Sequence, residues 1–304
     1  MSDDSLAETV DDVPKLAVGA GPAAGPLDVD LAGKTDPGKV RLLNEDHFHI
    51  VQFGRYLRTL MSSLPAGDAQ EEVDRLGHGF IVADGIGGRS GGELASRLAI
   101  GLLIEFARQT PDWILGHEDR HLATVMDRFA ERYRAVNQAV IAHAQSRPGL
   151  EGMGTTLSVA VSLGDDLLVT HIGDSRVYLH REGRLYRLTR DHTVTQAVPH
   201  PNRADAVRFR RVLTHAIGHA ETGGEPDLYH YKLTDGDRLL LCTDGLTDMV
   251  DDDVIARELG RVPAAADACR TLVELALDRG GRDNVTVVVA TYRFRPPAGA
   301  TPPA

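Results

Sequence analysis

Four short apolar segments follow one another between residues 156 and 188, and they constrain the fold more than any other feature of the sequence. They cover residues 156–163, 167–172, 176–180 and 185–188. The pairs Gly164-Asp165 and Glu182-Gly183, which separate the first two and the last two segments, are typical of hairpin turns. We therefore predict a run of antiparallel strands.

Apolar residues at helical spacing lie on both sides of this strand region. Helices are predicted over residues 91–109, about 122–144, 252–259 and 264–278, and further strands over residues 40–53, 79–83, 238–243 and 285–292. Because helices and strands do not alternate along the chain, a doubly wound parallel sheet is disfavoured. The order favours an α+β fold in which antiparallel sheets pack together with helices on their outer faces.

The composition indicates one domain between two tails. The 304 residues show no composition break and no internal repeat between positions 31 and 294. Residues 1–30 are acidic, contain no helical or strand period, and are predicted to be a disordered tail. Residues 295–304 are predicted to be a second, Pro-rich tail, so the domain is predicted to span residues 31–294.

Charge and cysteine content narrow the class of protein. Lys and Arg number 33 against 44 Asp and Glu, and the net charge of −11 argues against nucleic acid or an anionic membrane as the main partner. Cys242 and Cys269 form no C-x-x-C pair, so they are predicted to be buried thiols in a reducing compartment. The sequence has no apolar run of about 18 residues and an acidic N-terminal segment, which together predict a cytoplasmic location and no membrane partner.

Acidic residues within or beside the predicted strands are the chemically informative feature. They are Glu45-Asp46, Asp84, Asp174, Asp244 and Asp283. A single acid at a strand end is usually a turn former or a helix cap. Several acids brought together would repel one another, and divalent cations resolve such repulsion. Oxygen ligands without cysteine or a histidine pair favour Mg²⁺ or Mn²⁺ over Zn²⁺, and two such ions are a standard arrangement for phosphoester hydrolysis.

Arg41 is a candidate phosphate ligand. It lies four residues before Glu45 and is therefore predicted on the same face of the strand over residues 40–53. A guanidinium at that position can hold a phosphate through two hydrogen bonds, although an exposed surface arginine is the simpler interpretation of Arg41 taken alone.

Eight motifs occur in the order typical of one protein family. They are Arg41-x-x-Asn44-Glu45-Asp46, Ala83-Asp84-Gly85-Ile86-Gly87-Gly88, Gly152-Met153-Gly154-Thr155-Thr156, Gly173-Asp174-Ser175-Arg176, Asp191-His192, Leu213-Thr214-His215-Ala216-Ile217-Gly218, Thr243-Asp244-Gly245-Leu246-Thr247-Asp248 and Arg282-Asp283-Asn284. From about residue 34 to residue 293 the chain resembles the metal-dependent protein phosphatases, also called type 2C serine/threonine phosphatases, in their bacterial form.

The resemblance implies a fold and a set of site residues. The fold would be a four-layer αββα sandwich with two central antiparallel sheets. Asp84 would bridge two Mn²⁺ or Mg²⁺ ions, Gly85 would offer its carbonyl to one, and Asp244 and Asp283 would ligate the other. Glu45 and Asp46 would hold metal directly or through water, Arg41 would bind the substrate phosphate, and Asp174 and Asp248 would hold a third, weaker ion.

The resemblance also implies a reaction and a class of partner. Phosphoserine and phosphothreonine in proteins would be hydrolysed by direct attack of a water that bridges the two ions, without a phospho-enzyme. The partners would be phosphorylated proteins, the products of serine/threonine kinases. A catalytically weak or silent phosphoprotein-binding module on the same fold is the alternative, whereas a two-metal nuclease is disfavoured by the net charge of −11.

Three features of the sequence depart from the family or stay open. Ile86 stands where many eukaryotic members carry a histidine proposed as general acid. Residues 54–75 are predicted to be a solvated loop, a hairpin with a mobile tip or a partner surface. The segment over residues 191–227 corresponds to the flap beside the active site, where several arginines either steer acidic phosphopeptides or are simply solvated. These arginines are Arg203, Arg208, Arg210 and Arg211.

Overall fold

The computed structural model describes residues 27–54, 76–87, 91–109, 119–197, 209, 212–219 and 225–294. The strands are β1 (Leu27–Asp36), β2 (Asp46–Phe53), β3 (Gly77–Ile86), β4 (Gly154–Thr155), β5 (Leu157–Leu163), β6 (Asp166–Ile172), β7 (Arg176–Arg181), β8 (Arg184–Arg187), β9 (Asp227–Lys232), β10 (Arg238–Cys242) and β11 (Val285–Phe294). The helices are α1 (Gly91–Gln109), α2 (Asp119–Gln145), α3 (Val194–Ala197), α4 (Asp244–Thr247), α5 (Asp252–Arg261) and α6 (Ala265–Asp278).

The strands form two antiparallel sheets. The first sheet has the order β1-β11-β10-β7-β8, and the second has the order β2-β3-β5-β6-β9, with β4 paired to β3. At the predicted turn between β7 and β8, Glu182 and Gly183 have φ values of 51° and 80°, which match the left-handed conformations of a two-residue hairpin loop. The prediction of antiparallel sheets is confirmed.

Alternation along the central strands explains why the sheets stack between helices. Phe80 and Val82 of β3 belong to the same buried cluster as Leu239 and Leu241 of β10, so these side chains fill the space between the sheets. The intervening Ile81 and Ala83 pack instead with α1 and α2. Leu240 and Cys242 likewise pack outward with α5 and α6. Strands that are covered on both faces are apolar at successive positions, and the result is the predicted αββα order of layers.

Strand pairing brings the ends of several elements to one edge of this sandwich. In the first sheet Asp36 pairs with Val285, and Cys242 pairs with both Val287 and Arg176. The turn before β7, the turn after β10 and the turn before β11 therefore lie side by side. In the second sheet, Asp46 at the start of β2 pairs with Asp84 near the end of β3.

Several boundaries differ from the sequence prediction. The strand predicted over residues 40–53 begins only at Asp46, and β1 begins at Leu27, so residues 27–30 belong to the sheet and not to the predicted N-terminal tail. Asp84 lies inside β3 and not after its end. Strand β9 was missed because its residues follow a polar stretch without a clear period. Residues 1–26, 55–75 and 295–304 lie outside the described part of the chain.

None of the described helices combines the length and the apolar character that crossing a bilayer requires.

Candidate active site

Two aspartates from neighbouring strands face each other between the sheets. Asp46 and Asp84 occupy directly opposed positions of β2 and β3, and Asp84 shares the inward face of Phe80 and Val82 by the two-residue period. Asp46 is buried and Asp84 is partly buried. Opposed residues on one face of an antiparallel pair have Cβ atoms about 4.5–5.5 Å apart. The fold therefore forces two acids together in an interior position.

Threonines of the opposite sheet orient the Asp46 carboxylate. The hydroxyl groups of Thr243 and Thr286 each donate a hydrogen bond to Asp46 Oδ2, both at 2.8 Å. The other oxygen, Asp46 Oδ1, is buried and has no hydrogen-bond partner. A buried carboxylate oxygen without a partner is costly, because its lost hydration is not replaced. A cation next to Asp46 Oδ1 would remove that cost.

Three further acids interact electrostatically with this pair. Burial raises the pKa of Asp84 well above its ordinary value, and the charges of Asp46, Asp244, Asp174 and Asp283 raise it further. Burial also raises the pKa of Asp174 to about 7, with a contribution from Asp244. Burial raises the pKa of Asp46 to about 7 against the lowering effect of its two threonine hydrogen bonds. Five carboxylates thus lie close enough to disfavour one another's ionisation.

Asp283 links the acidic cluster to Arg41. The Arg41 Nη2 atom lies 2.7 Å from Asp283 Oδ2, and half of the Arg41 side chain is exposed to solvent. The sequence predicted that Arg41 lies on a strand, and this prediction is wrong because β2 begins only at Asp46. Arg41 lies in a loop over residues 37–45, which we name the Arg41 loop. Its guanidinium nevertheless reaches the acidic edge of the sandwich.

Asn284 holds the Arg41 loop in place. Its Nδ2 atom donates to the carbonyl groups of Pro37 and Leu43, at 2.9 and 2.8 Å, and its Oδ1 atom accepts from the backbone N–H of Glu45 at 2.8 Å. Glu45 is less buried than Asp46. Burial raises its pKa, the charge of Arg41 opposes that effect, and the charge of Asp283 adds to it.

Gly85 lies beside these residues. Its N–H donates to the Glu45 carbonyl at 3.2 Å, and the residue pairs with Thr155 of β4.

The turn that carries Asp244 packs closely on the start of β11. A Cβ atom on Gly245 would lie 1.9 Å from the Asn284 carbonyl oxygen, so only glycine fits there. Asp248 follows one helical turn later, and its N–H donates to the Asp244 carbonyl at 2.8 Å.

A row of histidines supports the turn that carries Asp174. The ring centroids of His171 and His192 are 5.0 Å apart, and those of His192 and His215 are 4.9 Å apart. The Gly173 N–H donates to His192 Nδ1 at 3.3 Å, while His192 Nε2 lies 3.1 Å from Asp227 Oδ2. Burial lowers the pKa of His171 to about 4, with a contribution from His192. These rings pack behind the Asp174 turn.

Sequence reasoning missed the residues that orient the acids. Thr243 and Asn284 stand inside recognised motifs, and Thr286 follows two positions later. Their roles depend on contacts between residues 197 to 247 positions apart in the chain, and no local pattern reveals such contacts. The predicted flap arginines and residues 55–75 lie outside the described part of the chain.

The donor set fits hard divalent cations. Every candidate ligand is a carboxylate or carbonyl oxygen, which Mg²⁺ and Mn²⁺ prefer. In the described part of the chain, no three His, Cys, Asp or Glu side chains already surround a single point with the geometry of direct coordination. Mg²⁺ commonly keeps several of its water molecules and takes only one or two carboxylates directly. Two observations therefore support the fit of divalent cations to this site. One is the Asp46 oxygen without a hydrogen-bond partner, and the other is the mutual repulsion of the clustered carboxylates.

Comparison with known proteins gives a consistent result. Residues 59–277 match the family model described as "Protein phosphatase 2C". The chain is 39% identical over 216 residues to the serine/threonine protein phosphatase PstP of Mycobacterium tuberculosis, an alignment that covers 69% of this chain but only 40% of the relative. It is 32% identical over 228 residues to the protein phosphatase PhpP of Streptococcus pneumoniae, which covers 72% of this chain and 88% of the relative.

A solved structure shares the fold. The crystal structure of the catalytic domain of PstP in complex with two manganese ions superposes with a TM-score of 0.66 at 34% sequence identity, covering 88% of this chain and 99% of that one.

Proposed function

Because the chain belongs to the protein phosphatase 2C family, we propose that it is a serine/threonine protein phosphatase that uses two Mn²⁺ or Mg²⁺ ions. The observation that carries the proposal is the opposed Asp46–Asp84 pair, in which the buried Asp46 Oδ1 has no hydrogen-bond partner while the surrounding acids oppose ionisation of Asp84. The names of relatives and the two manganese ions in the PstP structure support the same conclusion.

The candidate ligands fall into groups according to the ion that each would bind. Asp84 would bind both ions, Gly85 would bind one of them through its carbonyl, and Asp244 and Asp283 would bind the other. Glu45 and Asp46 would contribute directly or through water, and Asp174 with Asp248 would form a third, weaker site. When bound, the ions supply an activated water and neutralise the charge that develops on the phosphate ester.

The protein's own groups prepare this site before the substrate arrives. Thr243 and Thr286 fix one oxygen of Asp46 and leave the other buried without a hydrogen-bond partner. Asp283 holds Arg41 at the rim, where the guanidinium of this half-exposed side chain would exchange one partner for a phosphate oxygen. The acidic cluster and the arginine thus provide separate places for cations and for an anion.

A covalent cysteine mechanism does not suit this chain. Cys242 and Cys269 are both buried free thiols. Burial raises the pKa of Cys269 to about 12, and it raises the pKa of Cys242 as well. A thiol nucleophile must ionise to react, so neither residue serves. Ile86 carries no titratable proton, and the proposal therefore assigns no general acid at that position.

Substrates and location form part of the proposal. The substrates would be proteins phosphorylated by serine/threonine kinases. A cytoplasmic location stays a prediction, supported by the two free cysteines, which suit a reducing compartment.

The proposal is tested with the purified full chain and a phosphothreonine peptide. We expect hydrolysis with Mn²⁺, none with excess chelator, and a kcat reduced by several orders of magnitude, ~10³-fold or more, in Asp84→Asn, because a cluster that holds the nucleophile is lost. Asp253→Asn, an exposed acid on α5, is the matched control and should behave as wild type. Peptide binding without any turnover would instead support a silent binding module, and full activity of Asp84→Asn would refute the assigned role.

A further inference from the structure

An apolar surface lies on the Arg41 loop. Among the described residues, six large apolar side chains are exposed. Three of these six lie in one stretch of four residues, positions 40–43 of this loop. Val40 is 65% exposed, Leu42 is 98% exposed and Leu43 is 54% exposed. Apolar surface in water is unfavourable, so such a concentration at one place indicates a binding surface more often than isolated exposed residues do.

The loop that displays these side chains is firmly attached to the sandwich. Besides the three hydrogen bonds of Asn284, the Lys39 N–H donates to the Gly281 carbonyl at 2.7 Å, and Asn44 Nδ2 donates to Thr35 Oγ1 at 2.8 Å. Gly38 has a φ of 79°, and a Cβ atom there would lie 2.3 Å from the Asp283 carbonyl oxygen. The apolar side chains are therefore presented by a fixed backbone.

The position of this surface relates it to the candidate phosphate site. Arg41 stands between Val40 and Leu42, and its guanidinium lies 2.7 Å from Asp283. Consecutive Cα atoms are 3.8 Å apart. If Arg41 binds the phosphate, the residues next to the phosphorylated residue would lie within reach of Val40, Leu42 and Leu43.

We propose that Val40, Leu42 and Leu43 form a specificity surface that binds large apolar side chains next to the phosphorylated serine or threonine of a substrate. This inference rests on the proposed phosphatase function and adds a substrate class to it. An apolar flanking residue removes apolar area from water on both partners. An acidic flanking residue would gain nothing from these side chains and would approach a protein of net charge −11.

The expected size of the preference is modest. One methylene group more or less changes kcat/KM about 10- to 200-fold when a hydrophobic pocket encloses it. The surface on the Arg41 loop is open, so we expect the lower end of that range, about tenfold. The effect should lie in KM, because contacts remote from the reacting phosphorus act equally on the ground state and the transition state.

The test compares two phosphothreonine peptides that differ only in leucine or glycine on both sides of the phosphorylated residue. The measured quantity is the ratio of their kcat/KM values with Mn²⁺, for wild type, Leu42→Ser and Leu42→Met. Wild type and Leu42→Met should prefer the leucine peptide about tenfold, and Leu42→Ser should lose most of that preference. Because the Leu42 side chain is 98% exposed, its replacement removes no core packing.

Leu31→Ser is the matched control. Leu31 is 37% exposed on β1, five strand positions before the end that reaches the acidic edge, or about 16 Å away. Its variant should keep the wild-type ratio.

The failure of this inference is distinguishable from the failure of the proposed function. Wild type that hydrolyses p-nitrophenyl phosphate with Mn²⁺ but treats both peptides alike would overturn the specificity surface and leave the phosphatase assignment standing. Wild type that hydrolyses neither peptide nor p-nitrophenyl phosphate would overturn both. A wild-type dimer at assay concentration that Leu42→Ser converts to a monomer would show that a second copy covers this surface, and it would also overturn the inference.

Discussion

Replacing Asp46 by asparagine should stabilise the metal-free protein at pH 8 while it abolishes metal-dependent activity. Burial raises the pKa of Asp46 from 3.8 to about 7, against the two threonine hydrogen bonds that lower it. Between these two values the unfolded chain has released a proton that the folded protein still holds. The free energy of unfolding therefore falls as the pH rises through this window.

The magnitude follows from the width of that window. One pKa unit corresponds to 1.36 kcal/mol, so a shift from 3.8 to about 7 removes at most about 4 kcal/mol of stability by pH 8. Asparagine carries no charge, and its oxygen can still accept the hydrogen bonds from Thr243 and Thr286. Thermal unfolding in chelator should show a higher Tm for the variant, at about 2–4 °C per kcal/mol.

The assay is the Tm of both proteins in chelator and in Mn²⁺ between pH 5 and pH 8.5. In chelator, the wild-type protein should lose stability as the pH rises, and the variant should lose less. In Mn²⁺, the wild-type protein should not show this loss. Added Mn²⁺ should stabilise wild type more than the variant, because a bound ligand adds a stability of RT ln(1 + [L]/Kd). A variant that is no more stable than wild type in chelator at pH 8 would refute this reasoning.

Asp166→Asn is the matched control of opposite sign. Burial disfavours ionisation of Asp166, but hydrogen bonds from His230 and Lys232 outweigh it and lower its pKa to about 2. A carboxyl with a lowered pKa stabilises the folded state above pH 3.8 and loses that contribution as the pH falls through about 2. This variant should therefore be less stable than wild type at neutral pH, with or without Mn²⁺.

Two further substitutions test how the site is assembled. Asn284→Ala removes three hydrogen bonds to the Arg41 loop, which at about 0.5–1.5 kcal/mol each amounts to about 1.5–4.5 kcal/mol in urea unfolding. It should also raise KM for p-nitrophenyl phosphate, and an unchanged KM would show that the loop is held by other contacts. Gly245→Ala places a methyl group 1.9 Å from the Asn284 carbonyl oxygen, so Mn²⁺ affinity measured by calorimetry should fall at least about tenfold; wild-type affinity would contradict the described packing.

The layer order was predictable because it depends on local periodicity. Strands β5 to β8 and helices α1 and α6 each repeat their apolar residues over a few positions, and a period of two or of about 3.6 is readable within one segment. The resemblance to a known family supplied the candidate site residues, because the residues of each motif and their spacing can be read directly from the sequence.

Features of the fold that lack such a signal were predicted less well. Residues 40–45 alternate as a strand does, yet they form the Arg41 loop because Asn284 takes up the loop's backbone groups. Strand β1 begins inside an acidic segment because β11 offers it a partner from Leu27 onwards. In both places a distant residue overrides the local preference.

By itself, the sequence determined which segments are apolar on one face or on both, and in which order the acidic motifs occur. Only the tertiary structure decided that Asp46 meets Asp84 across two strands while Thr243 and Thr286 reach it from the other sheet. The physical reason is that periodicity is a property of neighbouring residues. Hydrogen bonds across 197 and 240 positions, by contrast, exist only after two sheets have packed together.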